Sequence, residues 1–532
     1  MAPPSIDRVF ERRLSALVNS GEPRLLQGGR KGVEKESLRV TPAGTLAYTP
    51  HPRELGSALT NANITTDFSE ALIELVTPAF TQSWELLQYL LDLHQFVYRH
   101  LRDELLWATS MPCAIEGGDD SIPLAQFGTS NVGRMKTIYR NGLGIRYGRM
   151  MQAISGVHYN YSFPMGFWEA FAVVREAKDH GQNFVSTSYF ELLRNYRRYG
   201  WIVLYLFGVS PVVCQSFLRG KDMGLRELTK GTLYEPYATS LRMSDIGYRN
   251  RNQAGLSVSV NSLDEYVRDL THAITTPHAP YEAMGVKVKG PNGDEYNQLS
   301  ANILQIENEY YSFIRPKRVA RSGERPTKAL QRAGVEYVEV RALDVSAFDP
   351  VGVNQNKLRF LEAFMAMCVL KDSPLIAASD EARLDQNHIT VARRGREPGL
   401  MLWRGDREVP MRELARELLD SMTGICEMLD HGDPLRPYGN ALAVQAAKLD
   451  DVALTPSARL LNELTSTGES FFDQALRMST LHKDYFLEMY PPNEERLGEF
   501  AAEAAESLRR QEALETGQQE SFDTYLKRYF AK

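Results

Sequence analysis

The chain has 532 residues, 43% apolar and 24% charged, with a net charge of −6. That composition belongs to a globular protein with a sizeable core, and it argues against nonspecific nucleic-acid binding, which needs concentrated lysine and arginine. Length alone would allow roughly three to four domains, yet no repeat, low-complexity stretch or linker divides the sequence.

The opening MAPPSIDRVFERRLSALV lacks an apolar run of signal length and mixes acids with its arginines, so neither a secretory nor an organellar address is expected. Residues 5 to 19 read as a short amphipathic helix. In 32 to 40, GVEKESLRV, the apolar Val33, Leu38 and Val40 lie between a glycine and a turn. A strand there puts Glu34 and Glu36 on one face, roughly 6–7 Å apart. In 64 to 78, ITTDFSEALIELVTP, Asp67 precedes a segment where Glu70, Leu72, Glu74 and Val76 alternate with Ala71, Ile73, Leu75 and Thr77. Glu74 therefore sits where burial is wanted. Two such carboxylates repel by roughly 2–3 kcal/mol at an effective dielectric near 20, so a cation is expected beside them. A solvated strand edge, and a wet helix face carrying Asp67, Glu70 and Glu74, also fit these residues.

Ser83 is placed as the cap of a long helix from Trp84, in which His94 reads as a packed residue. Residues 111 to 134 are loop-rich. Gly142, Gly144 and Gly148 follow, but their spacing is G-x-G-x-x-x-G with no preceding strand, which excludes a dinucleotide-binding turn; no Walker A sequence occurs either. Residues 155 to 164 alternate, with Val157, Tyr159, Tyr161 and Phe163 opposite His158, Asn160 and Ser162. His158 alone reads as an interior histidine; beside carboxylates it reads as a ligand. Residues 186 to 208 are predicted helical, and WIVLYLFGVSPVVC at 201 to 214, too short to span a bilayer, reads as a buried helix.

Residues 222 to 260 read as irregular and hold Arg242 and Tyr248, and 264 to 275 as helix. Residues 300 to 318 are predicted as a strand with Gln305, Glu307, Glu309 and Tyr311 on one face. Its basic end, Arg315, Lys317 and Arg318, fits either a solvated cluster or a phosphate site. The strand 335 to 344 carries Glu339 and Arg341 on one face, with Tyr337 and Leu343: a salt bridge, or a metal ligand beside a phosphate clamp. Beyond about 355 the pattern is helical, at 357–371, 410–430, 440–450, 456–466, 469–486 and 492–516, with a turn and strand at 393–402. Cys113, Cys214, Cys368 and Cys426 lie far apart, so neither a zinc site nor a disulfide framework is expected and a reducing cytoplasm is the predicted home.

Four strands thus offer polar groups on one face over an apolar back, which places them in one sheet covered by helices, the polar face lining a concave site. Five carboxylates and one histidine make a hard, oxygen-rich donor set suited to Mg²⁺ or Mn²⁺. Ions about 3.5–4 Å apart on such acids suit phosphoryl transfer.

The runs G-x-E-x-E-x-L-R, I-T-T-D-F-x-E-A-L-x-E, M-x-x-I-S-G-V-H-Y-N, P-Y-A-T-S-L-R-x-S-D-x-G-Y, L-Q-I-E-N-E-x-Y-x-x-I-R-P-K-R and E-Y-x-E-V-R-x-L-D resemble the proteobacterial type of glutamate-cysteine ligase, closely from about 28 to 400 and in general character beyond. The resemblance implies an α+β fold: a curved, mostly antiparallel sheet forming a funnel with helices outside, similar to the catalytic domain of glutamine synthetase. It implies one unit over 1–532, with the catalytic sheet at about 28–400 and a helical part at about 400–532 packed on it.

The implied activity is ATP-dependent joining of glutamate to cysteine through a γ-glutamyl phosphate, the first step of glutathione synthesis. The implied metal ligands are Glu34, Glu36, Asp67, Glu74, His158 and Glu339, holding two or three magnesium ions. Arg341 would stabilise the transferring phosphoryl group and Arg242 hold the glutamate. Phe68, Tyr139, Tyr248 and Tyr311 match an aromatic pocket for cysteine, and Arg315, Lys317 and Arg318 match a basic run near the nucleotide phosphates. Expected partners are glutamate, cysteine and ATP, with no nucleic acid or membrane, and the chain is expected to be a monomer. A related carboxylate–amine ligase using another amine or ammonia would share this machinery, and a two-metal phosphohydrolase would share the acids.

Overall fold

The structure, a computed structural model, describes residues 7–112, 115–219, 221–247, 255–290, 293–321, 323–517 and 519–531. Its frame is a seven-stranded antiparallel sheet of β1 (Arg30–Val40), β2 (Ile64–Thr66), β3 (Leu72–Val76), β4 (Leu105–Leu106), β5 (Val157–Ser162), β6 (Ile314–Lys317) and β7 (Tyr337–Leu343). The order is β6-β7-β5-β1-β3-β2, with β4 paired to the end of β1. Among the described residues the sheet is open at β6 and β2 and closes no barrel.

Alternation sorts the two faces. Val33, Ile73, Leu75, Tyr159, Tyr161, Val338 and Val340 point into the main core. Behind them lie α1 (Ser83–His100), α3 (Gln182–Tyr199) and α4 (Gln355–Leu370), the last buried along nearly its whole length. Even the polar residues of that back face are tied inward: Lys31 on β1 is paired with Glu362 on α4 at 2.5 Å, and the Tyr438 hydroxyl donates to the same carboxylate at 2.6 Å. In front of the sheet stand α2 (Asn131–Tyr147) and, at the C-terminus, α5 (Phe522–Ala531).

Several elements differ from the sequence expectation. The apolar stretch 201–214 is not one helix: it ends at Phe207, and Val212–Cys214 is a strand. Pro211 lacks an N–H and drives the residue before it to extended backbone. Residues 222–260 are not wholly irregular, because Arg226–Thr229 and Thr232–Tyr234 form a hairpin on that strand. Within 300–318 only Ile314–Lys317 pairs as a strand, and Glu307–Glu309 is a 3-10 turn. The cause is local capture of the carboxylates: Arg325 and Thr327 donate to Glu307 at 2.9 and 2.6 Å, while Glu309 pairs with Arg146 at 2.9 Å and accepts from the Gln305 N–H at 2.6 Å.

Leu343 belongs to the core rather than to the face of Glu339, since the β7–β5 register shifts between Val340 and Leu343. Ser83 is the first residue of α1, and Gln82 occupies the cap. The helices Ala378–Arg394 and α5 were not foreseen. The cysteine expectation fails in part: Cys368 and Cys426 are free and buried, but Cys214 is disulfide-bonded, a pairing that sequence spacing cannot reveal. No helix among the described residues is long and apolar enough to cross a membrane.

Candidate functional site

The sheet register builds the site. Glu36 on β1 lies opposite Glu74 on β3, Glu34 on β1 opposite His158 on β5, and Asn160 on β5 opposite Glu339 on β7. Directly opposed residues of an antiparallel pair share a face. The four strands read as polar-faced are therefore sheet neighbours, and their acids meet on the side away from the core. They floor a cavity of about 560 Å³, which Asp67, Phe68, Tyr139, Arg242, Tyr311, Arg315, Lys317 and Arg341 also line.

The carboxylates are held in different ways. Glu34 accepts from Asn160 Nδ2 at 2.9 Å, and its other oxygen is 3.1 Å from His158 Nδ1. Burial and the nearby Glu339 push Glu34 up, but His158 and Lys317 outweigh them and its pKa is lowered. Glu36 accepts from the Gly156 N–H at 2.6 Å and lies 3.8 Å from His158 Nε2, yet burial leaves its pKa raised. Glu74 is raised well above the usual range, first by burial and then by Glu34, Asp67 and Glu36. Glu339, 1% exposed, goes the other way: Lys317 at 3.4 Å, Arg341 at 3.2 Å and His158 at 3.9 Å overcome its burial and hold it well below.

One ligand atom from each of Glu34, Glu74 and His158 lies within 4.8 Å of the others. The second oxygen of Glu339 is buried without a hydrogen-bond partner among the described residues. Asp67 stands at the rim on the β2–β3 connection, 3.8 Å from Arg140, which also donates to the Asp67 carbonyl. Glu70, by contrast, turns away and accepts from the N–H groups of His51 and Gln126, both at 2.8 Å.

Arg242 enters from a 3-10 turn, Leu241–Met243, and is 2% exposed. Its Nη2 donates to the Arg341 carbonyl at 3.1 Å. A Cβ on residue 156 would come within 2.0 Å of Nη2, so any larger residue there would displace that guanidinium. Asp344, just past β7, ties the same region together. It accepts from the Val209 N–H at 2.8 Å, Ser210 Oγ at 2.7 Å and Ser240 Oγ at 2.8 Å, and lies 3.8 Å from Arg242 Nη1.

Of the aromatic residues singled out in the sequence, Phe68, Tyr139 and Tyr311 line the cavity, and Tyr248 lies outside the described residues. The Tyr311 hydroxyl accepts from Gln152 Nε2 at 2.7 Å, and its ring meets Tyr147 edge-on at 5.9 Å. The basic run divides. Lys317 faces Glu339; Arg315 lines the cavity but donates to the carbonyls of Asn308, at 3.0 Å, and Tyr310. Arg318 is outside the cavity lining, and its guanidinium donates to the Gly334 and Ala333 carbonyls at the end of helix Pro326–Ala333.

Among the further lining residues that went unread in the sequence are Lys136 and Arg140 on α2, and Tyr525 and Tyr529 on α5. The local signal for each pair was its i, i+4 spacing, Lys136 and Arg140 in KTIYR and the two tyrosines in YLKRY.

Comparison with known proteins gives concordant results. A family model described as glutamate-cysteine ligase matches residues 14–391. A glutamate–cysteine ligase of Alcanivorax borkumensis is 49% identical over 98% of this chain and 99% of its own length. One of Pseudomonas putida is 45% identical over 99% of each. Among solved structures, the glutamate–cysteine ligase of Francisella tularensis in complex with AMP matches with a TM-score of 0.88 at 36% identity, covering 95% of this chain and 98% of that one. A bifunctional glutathione synthetase of Pasteurella multocida shares the fold, with a TM-score of 0.68 at 22% identity over 93% of this chain and 57% of that one.

Proposed function

The chain belongs to the glutamate–cysteine ligase family, and we propose that the cavity over its sheet is where this molecule carries out that family's reaction. The protein is an ATP-dependent ligase that forms γ-glutamylcysteine from L-glutamate and L-cysteine in glutathione synthesis, with ATP as co-substrate. The observation that carries the assignment of the site is the register that assembles Glu34, Glu36, Glu74, His158 and Glu339 on one face beside Arg341 and Arg242.

The donor set fits magnesium: hard carboxylate oxygens with one imidazole, three of them close enough to share an ion, a buried Glu339 oxygen lacking a partner among the described residues, and Glu74 pushed up by burial and then by its acidic neighbours. Glu34, Glu36, Asp67, Glu74, His158 and Glu339 would hold two or three ions. Bound there, Mg²⁺ neutralises the anions that must meet in the reaction, the γ-carboxylate of glutamate and the γ-phosphate of ATP.

The chain's own groups do the rest. Arg242 holds the substrate glutamate, and the Arg341 guanidinium fork steadies the phosphoryl oxygens in transfer. A γ-carboxylate oxygen attacks the γ-phosphorus, the bond to the β-phosphate oxygen breaks, and ADP departs, leaving a γ-glutamyl phosphate. Water would hydrolyse that acyl phosphate, and Phe68, Tyr139 and Tyr311 exclude it while receiving cysteine. The cysteine amine then attacks the acyl carbon, loses a proton, and phosphate leaves. Lys317, at the Glu339 carboxylate, is the member of the basic run best placed for nucleotide phosphates.

We extend the reading to the frame. The open antiparallel sheet with helices behind it supports a funnel like that of glutamine synthetase, in one unit whose helical part from about residue 400 braces the catalytic part from about 28. A cytoplasmic monomer fits this reading.

Phosphate release from ATP and Mg²⁺ with glutamate, in the presence of cysteine, 2-aminobutyrate, ammonia or no acceptor, tests the reading. Release that needs both glutamate and cysteine, with γ-glutamylcysteine identified by mass and ammonia inert, is the expected result. Release driven by ammonia, or without an acceptor, would overturn the cysteine pocket.

A further inference from the structure

A second cavity, of about 240 Å³, shares no lining residue with the catalytic one. It forms where the C-terminal end of α3, the helix Trp201–Phe207, the segment after α4, the helix Ala378–Arg394, the hairpin Met401–Pro410 and the helix Met411–Ser421 converge. Nothing in ligase chemistry calls on it.

Its walls combine two features. The first is aromatic: Tyr199, Trp201 and Trp403 line it together with aliphatic side chains. Trp201 is buried, whereas Tyr199 and Trp403 are only half-buried; apolar ring surface left uncovered there gives up burial worth about 25 cal/mol per Å², so a planar apolar occupant is favoured. The second is charge. Four basic side chains, Arg198, Lys371, Arg383 and Arg404, face only two acids, Asp380 and Glu417.

Local contacts account for part of that excess. Arg404 pairs with Glu417 at 2.8 Å, and Lys371 lies 3.4 Å from Asp7. Arg198 donates to the Pro374 carbonyl at 2.6 Å, and Arg383 to the Gly405 carbonyl at 3.2 Å while lying 5.0 Å over the Trp403 ring. Two guanidinium groups therefore hydrogen-bond to neutral carbonyls rather than carboxylates, Arg198 also reaching Asn195 Oδ1 at 3.3 Å, and burial lowers the Arg198 pKa although Asp380 and Asp372 pull it up. An anion would complete what the wall leaves unbalanced.

We propose that this cavity is a binding site for a small planar aromatic carboxylate, its ring between Tyr199, Trp201 and Trp403 and its carboxylate toward Arg198 and Arg383. The volume sets the size. It falls below the range of about 300–1,000 Å³ usual for drug-sized ligands, which limits the occupant to roughly a dozen non-hydrogen atoms. Arginine serves such a ligand twice, since its fork matches a carboxylate and its plane stacks on a ring.

Calorimetric titration of the full chain with 2-naphthoate tests this independently of the ligase reading. Acetate supplies the charge without the ring, and 2-naphthol the ring without the charge. The expected result is one site per chain for 2-naphthoate, at least tenfold tighter than either half, and undisturbed by saturating ATP, Mg²⁺ and glutamate. Arg383→Gln, at a partly exposed position on a helix, and Trp403→Leu should each weaken it at least fivefold while phosphate release with glutamate and cysteine stays at the wild-type level. Absence of saturable binding up to about 1 mM, where association is worth only about 4 kcal/mol, would overturn the proposal. So would equal affinity in both variants, or displacement by ATP and glutamate, which would place the probe in the catalytic cavity.

Discussion

Glu74 and Glu339 are both buried acids on the same face, and their surroundings set them apart. Glu74 is crowded by Glu34, Asp67 and Glu36; Glu339 is surrounded by Lys317, Arg341 and His158. Replacing Glu74 with Gln therefore removes repulsion, and we predict a metal-free Tm equal to or above wild type with turnover down at least a hundredfold. Thermal melts with and without Mg²⁺ check it: the variant should lose most of the Mg²⁺-induced rise in Tm. Glu339→Gln instead strands two cations and should lower the metal-free Tm. Asp344 acts at one remove, through Arg242. Asp344→Asn should raise KM for glutamate about tenfold or more while KM for ATP moves little, and steady-state kinetics with each substrate varied separates the two. The polar faces of β1, β3, β5 and β7 were legible in the sequence because a two-residue period is local information. Asp344 as a hub, and Gly156 as a clearance for Arg242, were not, since each depends on segments about a hundred residues or more away in sequence.

At the scale of elements, α5 shows what sequence patterning misses. Its decapeptide looks like an ordinary amphipathic end, yet it docks through Phe522 and Leu526 on Met135, Leu299 and Ile306, a cluster apart from the main core, and brings Tyr525 and Tyr529 to the cavity. Ending the chain after residue 517 should lower kcat/KM at least tenfold while leaving the circular-dichroism melt of the sheet and main core nearly unchanged. A collapse of the whole melt would show that α5 is part of the global core instead. The segment 300–313 failed as a strand for the opposite reason. Its alternation was real, but Arg146 and Arg325 arrive from distant segments and claim Glu309 and Glu307, so side-chain pairing displaced ladder hydrogen bonds. The two-residue period of a strand tells which face a residue takes only once the backbone has agreed to pair.

Across the whole molecule, acid sensitivity follows from histidines buried neutral. Burial, with Lys35 nearby, lowers His482 to about 4, and burial with Arg39 lowers His51 to about 4. A histidine whose folded pKa lies below its unfolded value of about 6.5 lets the unfolded chain bind protons first, so stability is full above about pH 6.5 and falls as pH drops towards 4. For His482, 7% exposed, the loss amounts to at most about 3 kcal/mol. Burial and Arg39 outweigh the Gly56 backbone group that favours the charged His51 ring, so His51→Phe should flatten the fall in Tm between pH 6.5 and 4. An unchanged slope would show that the imidazole is reached by solvent.

The joining of four separate polar strands into one metal-holding face is the claim on which the rest depends. Anomalous diffraction from crystals grown with Mn²⁺ in place of Mg²⁺, together with ADP, tests it most directly. Peaks about 2.1 Å from oxygens of Glu34, Glu74 and Glu339 and from a nitrogen of His158 are predicted. Well-ordered carboxylates with no peak among them, or manganese bound only elsewhere on the chain, would contradict it.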